Sequence, residues 1–122
     1  IIHNHPIYAT GLSILQKKIK SYHYMIAFFG GIDIKCSKFA LPGSKKLSQY
    51  ILDSLKDRKA CLLANHGSVI IGKNFEETIT LTEELEVLCK QITIAKINGN
   101  PKLVSMQNMK KVINAIKTYG KQ

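Results

Sequence analysis

No apolar run in the 122 residues approaches the roughly twenty that a helix needs to cross a bilayer. The first residues lack the basic-then-apolar layout of a signal peptide. Cys36, Cys61 and Cys89 are odd in number, widely spaced and free of any C-x-x-C, which excludes a disulfide framework and a zinc knuckle. These absences predict a soluble cytoplasmic protein with reduced thiols and no membrane partner. Arginine is almost missing: of 18 basic residues all but Arg58 are lysine, set against 8 acidic ones, for a net charge of +10. Such a balance raises nucleic acid as a partner, because clustered cations neutralise phosphate. Here no basic run is longer than the pairs Lys17-Lys18, Lys45-Lys46 and Lys110-Lys111, and the guanidinium forks that read guanine edges are absent. A diffuse, solvated lysine surface is therefore expected, with no nucleic-acid partner.

What is present suffices for one packed unit. Hydrophobic residues make up 45% of the chain, and no repeat, low-complexity tract or linker interrupts it. Residues 1–122 therefore read as a single domain. The opening "IIHNH" reads as the end of a strand, and Pro6 suits the first turn of a helix carried by Ala9, Leu12, Ile14 and Leu15. Gly30-Gly31 forces a turn, "IDIKCSKFA" alternates as a strand, and Pro42-Gly43 closes it. Leu47, Tyr50, Ile51 and Leu55 recur at helical steps after Ser44, predicting a helix over 45–57. "KACLLANHGSVIIG" reads as two short buried strands broken at Asn65-His66-Gly67. Asn74 followed by Glu77 marks a helix start, and Leu81, Leu85, Leu88, Ile92 and Ala95 form one stripe as far as Gly99. A last helix runs from Ser105 to Thr118 with Met106, Met109, Val112, Ile113 and Ile116 inward. The mixed order predicts an α/β sheet covered by helices.

Three of the four histidines fall at expected strand ends or turns. His3 and His5, two apart on an extended chain, project to one side while Asn4 points away. His66 lies where a glycine lets the strand turn and holds the ring at the sheet's rim. Three neutral imidazoles from two strands would leave a fourth metal position open for water, carboxylate or a substrate oxygen, as in catalytic zinc sites. Their outer nitrogens would need an acceptor, from Asn4, Asn65 or a backbone carbonyl. Spacing alone also admits ordinary turn and packing roles for all three. His23, next to Tyr24, reads as a packing or supporting residue.

"HNHPIYATGLSIL", "HYMIAFFGG", "LKDRKACLLANHG" with the following "EELEVLCKQ", and the closing "KTYG" resemble the class II aldolase/adducin family. The likeness runs in order over nearly the whole chain and covers the C-terminal part of that family's domain. It implies an αβα sandwich around a central, largely antiparallel sheet, with the N-terminal part missing from this chain. It implies one Zn²⁺ per subunit, held by His3, His5 and His66. The implied activity is that of a lyase: reversible aldol cleavage of a ketose 1-phosphate such as L-fuculose 1-phosphate, giving dihydroxyacetone phosphate and an aldehyde. Tyr24 matches the tyrosine that protonates the aldehyde half, and Tyr119 the C-terminal tyrosine that covers the site.

The resemblance further implies a homotetramer with active sites at subunit boundaries. The family's glutamate, both ligand and base, and its glycine- and serine-rich phosphate loops lie upstream of the matched part. A separate N-terminal fragment is thus an expected partner besides the phosphorylated sugar, and this chain alone is expected to be a poor catalyst. Pro42 replaces an expected aromatic and bears on the choice of aldehyde. Two other readings remain: a sugar-phosphate epimerase or dehydratase on the same scaffold, which shares the histidines, and a non-enzymatic adducin-like module.

Overall fold

The computed structural model describes residues 1–118. Four strands, β1 (Ile2–Asn4), β2 (Lys35–Ser37), β3 (Ala60–Leu63) and β4 (Gly67–Ile70), form one sheet in the order β1-β4-β3-β2. The β1–β4 and β4–β3 pairs are antiparallel and the β3–β2 pair is parallel, so the sheet is largely antiparallel as expected. Four α-helices, α1 (Ile7–Ser13), α2 (Lys45–Leu55), α3 (Phe75–Asn98) and α4 (Met106–Thr118), and a 3-10 helix over Tyr24–Phe29 complete the chain.

Alternation along the strands assigns the two faces. Ala60, Leu62 and Ile70 point into the larger core with Ala9 and Leu12 of α1, Leu81, Leu85, Leu88 and Ile92 of α3, Phe29 of the 3-10 helix and Met109 of α4. Cys61, Leu63 and Val69 point the other way, toward Ile51 and Leu55 of α2. Full burial of each large aliphatic or aromatic side chain contributes roughly 1.5–3 kcal/mol. The first face, where most of them gather, therefore carries most of the stability. The second is thinly covered, and a groove of about 460 Å³ opens there, walled by Leu47, Ile51, Leu52 and Leu55 of α2 and by Leu63, Val69, His3 and His66.

The helix starts follow their caps. Ser44 accepts from Leu47 N–H at 3.1 Å, Asn74 from Glu77 N–H at 2.8 Å and Ser105 from Asn108 N–H at 3.1 Å. Some expected boundaries shift. The first helix stops at Ser13, because Ser13 turns its polar groups to the β3–β4 connection and Gln16 takes φ 54°; Ile14 and Leu15 are then exposed rather than inward. The strand expected over "IDIKCSKFA" is paired in the sheet only at Lys35–Ser37; Ile34 turns its backbone to a bridge with Ile19 instead. Ala95 and Met106 lie exposed at the ends of their stripes, where α3 and α4 extend past the core.

Arg58, the chain's single arginine, has an internal task. Its Nε and Nη2 donate to Asp33 Oδ1 at 3.0 and 2.8 Å, and its Nη1 to the Asp57 carbonyl at 2.9 Å. The guanidinium lies flat against Gly31, where a Cβ would stand 2.5 Å from its central carbon. Lys18 Nζ reaches the other oxygen of Asp33 at 3.2 Å. Burial acts to raise the Asp33 pKa, but the hydrogen bonds from Arg58 and Lys18 outweigh it and hold the carboxyl below its usual range.

Candidate metal centre

β1 and the β3–β4 connection bring the three histidines together. His3 faces Val69 across the β1–β4 pair, so its side chain leaves the sheet on the α2 side, and His5 follows two residues on. Asn4 points the opposite way and accepts from the Ser68 hydroxyl at 2.6 Å. His66 closes a short connection, donating its backbone N–H to the Leu63 carbonyl at 3.0 Å. The sharp step there falls on Asn65, at φ 54°, and not on the glycine as expected; asparagine tolerates the left-handed region because its short polar side chain bonds locally. Gly67 is needed for space. A Cβ there would collide with the Asn4 carbonyl and stand 2.7 Å from His5 Cδ2.

The rings meet with centroids 4.8 to 4.9 Å apart, and one ligand nitrogen from each lies within 4.8 Å of the others. His3 Nδ1 is 2.9 Å from the Ser68 carbonyl, which can only accept, so this nitrogen carries the proton and Nε2 keeps its lone pair. That Nε2 lies 3.1 Å from His5 Nε2. Two nitrogens on a tetrahedral ion with bonds of about 2.0–2.1 Å would be roughly 3.3 Å apart, so the spacing fits a common ion. Partial burial, and then the charges of His3 and His5, push the His66 pKa below its ordinary value and favour the neutral ring that ligation requires. The donor set, the anchored tautomer and the spacing together make a site able to hold a divalent metal, with His3 and His66 facing the groove.

Tyr24 is not part of this cluster. It opens the 3-10 helix with its ring stacked on His23 at 4.9 Å and is 52% exposed. Among the described residues no hydrogen bond or ring contact joins it to the three histidines. His23 supports that helix by accepting from Met25 N–H at 3.1 Å through Nδ1. Tyr119 lies outside the described residues. Pro42 and Gly43 lead into α2 at the groove's wall, with Gly43 at φ 82°.

Residues 1–93 match the family model described as the class II aldolase and adducin N-terminal domain. The chain belongs to the class II aldolase/adducin family. It is 38% identical over 121 residues to the L-fuculose phosphate aldolase of Haemophilus influenzae, covering 98% of this chain and 56% of that protein. It is 35% identical to the 5-methylthioribulose-1-phosphate/5-deoxyribulose-1-phosphate aldolase of Rhodospirillum rubrum, over 98% of this chain and 54% of the relative. A solved L-fuculose 1-phosphate aldolase superposes with a TM-score of 0.89 at 32% identity, over 94% of this chain and 54% of that one. The chain thus spans about half the length of the class II relatives it matches. No helix among the described residues is long and apolar enough to cross a membrane.

Ser68, the acceptor for His3, was among the open possibilities only as an unspecified backbone carbonyl. Ser13, Gln16 and Glu86, which hold the elements carrying the histidines, have no sequence signal: each acts on a residue far along the chain.

Proposed function

We propose that this chain is the metal-binding part of a class II sugar-phosphate aldolase, which cleaves a ketose 1-phosphate of the L-fuculose 1-phosphate kind into dihydroxyacetone phosphate and an aldehyde. The reading is carried by the convergence of three imidazoles, one of which donates its Nδ1 proton to the Ser68 carbonyl and so turns its Nε2 lone pair toward the other rings, 3.1 Å from His5 Nε2. The likeness to curated sugar-phosphate aldolases supplies the reaction class.

His3, His5 and His66 are the residues that hold zinc. Zinc, when bound, supplies a Lewis acid that polarises the carbonyl and stabilises negative charge as the carbon-carbon bond breaks. Neutral imidazoles leave the ion's positive charge undiminished, and the depressed His66 pKa keeps that ring neutral near pH 7. Tyr24 is the acid–base group at the oxygen of the aldehyde half: it takes the hydroxyl proton as the carbon-carbon bond breaks and the aldehyde carbonyl forms, and returns that proton to the developing alkoxide in the condensation direction. Its exposed position suits action across a boundary between copies in a homotetramer. The general base, a glutamate, and the phosphate-binding loops come from polypeptide other than these residues, either the rest of the same protein or a separate N-terminal fragment.

The test follows release of dihydroxyacetone phosphate from L-fuculose 1-phosphate by the zinc-loaded chain co-expressed with the N-terminal portion of the Haemophilus relative. Release that requires zinc, disappears in His66→Ala and falls by about 10²- to 10⁴-fold in Tyr24→Phe supports the proposal. Turnover that survives His66→Ala, or an epimerised sugar phosphate without cleavage, overturns it.

A further inference from the structure

Helix α1 ties the two halves of the histidine site together. It starts directly after His5, and its cap position is Pro6, which offers no side-chain acceptor to the free N–H groups of the first turn. Glu86 of α3 supplies the acceptors instead: Oε1 accepts from Tyr8 N–H at 2.6 Å and Oε2 from Ala9 N–H at 3.1 Å. A carboxylate bonded through both oxygens fixes the start of the helix in position and orientation, and with it the end of β1. At the other end, Ser13 is fully buried and its carbonyl accepts from Asn65 N–H at 3.1 Å. The Ser13 hydroxyl donates to the Thr10 carbonyl at 2.6 Å and accepts from His66 N–H at 3.3 Å. Gln16, in the left-handed turn that follows, donates its Nε2 to Asn65 Oδ1 at 2.7 Å.

Resting on the metal site proposed above, we propose that Glu86, Ser13 and Gln16 are positioning residues of that site, with α1 as a strut that sets the separation of the His3–His5 pair from His66. Seven residues make a helix of about 10 Å, short enough that a shift at one end is felt at the other. The β3–β4 connection bears on α1 through Asn65 and His66. Loosening either end lets His66 drift from the other two rings although all three histidines are still present.

The test is competition of the purified chain with a chromophoric chelator for zinc, with the absorption spectrum of the Co²⁺-loaded protein as a second readout and thermal unfolding of the metal-free protein as a third. Glu86→Ala is expected to weaken zinc binding by about 10- to 100-fold, the usual effect of removing a group that orients ligands, and to alter the Co²⁺ bands. Glu86→Gln, which retains one strong acceptor, recovers part of the loss, and the exposed Gln16→Ala gives a smaller loss without disturbing the core. Met109→Ala is the control: it lies on α4, which packs on the 3-10 helix, and lowers thermal stability without changing zinc affinity. Wild-type affinity and Co²⁺ spectrum in both Glu86→Ala and Gln16→Ala overturn the strut. So does a loss of affinity that merely tracks thermal stability, with Met109→Ala on the same line. Failure of the unmodified chain to bind zinc overturns the metal site as well, which separates the two claims.

Discussion

Two polar clusters stand at opposite ends of β3, and they are finished differently. Before the strand, Asp33, Arg58 and Lys18 satisfy one another: the carboxylate receives three side-chain donors, and the guanidinium spends its remaining reach on backbone carbonyls. Beyond it, His3, His5 and His66 bring ligand nitrogens together, and among the described residues no acidic side chain hydrogen-bonds to them. The first cluster is closed on itself, whereas the three imidazoles have no acidic partner among the described residues and form a group that could hold a metal ion. The same strand thus has a structural clamp at one end and a candidate metal centre at the other.

The sharpest break of that comparison comes from deleting a ligand. His66→Ala should abolish stoichiometric zinc binding by the chain, measured by metal analysis after gel filtration, while Arg58→Ala should leave zinc content unchanged. Next in size is the stability cost of opening the closed cluster. Arg58→Ala leaves Asp33 largely buried without its main partner and should lower the free energy of unfolding in urea by about 2–3 kcal/mol, somewhat below the value for a fully buried pair because both groups keep some solvent contact. If zinc affinity fell with it, the division between the two ends would be wrong.

Gly67→Ala should affect both fold and site. The added methyl meets the Asn4 carbonyl and the His5 ring, and overpacking of this kind costs about 1–3 kcal/mol. Zinc binding should weaken beyond what the loss of stability explains, as seen by comparing chelator competition with urea midpoints.

The smallest effects are in pH dependence of the metal-free chain, and the two clusters titrate in different windows. Asp33 has a folded pKa below its ordinary 3.8, so its contribution is whole above that value and is lost as the pH falls through the folded one; Asp33→Asn should remove this acid limb. His66 has a folded pKa below its ordinary 6.5, so below that pH the unfolded ring takes up a proton that the folded ring resists. Stability should therefore drop slightly as pH falls from 6.5 toward the folded value, and His66→Ala should flatten that slope in urea titrations.

Much of this arrangement is legible in the residue order because its signals are local. Helical spacing of Leu81, Leu85, Leu88 and Ile92, the caps at Ser44, Asn74 and Ser105, and the two-residue step from His3 to His5 each act within a few positions. The joining of His66 to that pair is a long-range fact, reached through family likeness and consistent with spacing but not deducible from it. The supports were hidden for the same reason: Ser68 looks like any strand serine, and Glu86 like a solvated helix carboxylate, until the fold sets them beside His3 and Tyr8. Arg58 shows the opposite error of emphasis. Its rarity reads as a statement about partners, whereas its contacts are internal and depend on Gly31 leaving room for the guanidinium.

The proposed zinc site is built from three imidazoles and not from the cysteines. X-ray absorption at the zinc edge of the chain loaded with one equivalent tests it most directly. A bound ion with three nitrogen neighbours at about 2.0–2.1 Å and a remaining light-atom ligand is expected; a sulfur shell at about 2.3 Å, or no retained zinc, would contradict the proposed three-imidazole site.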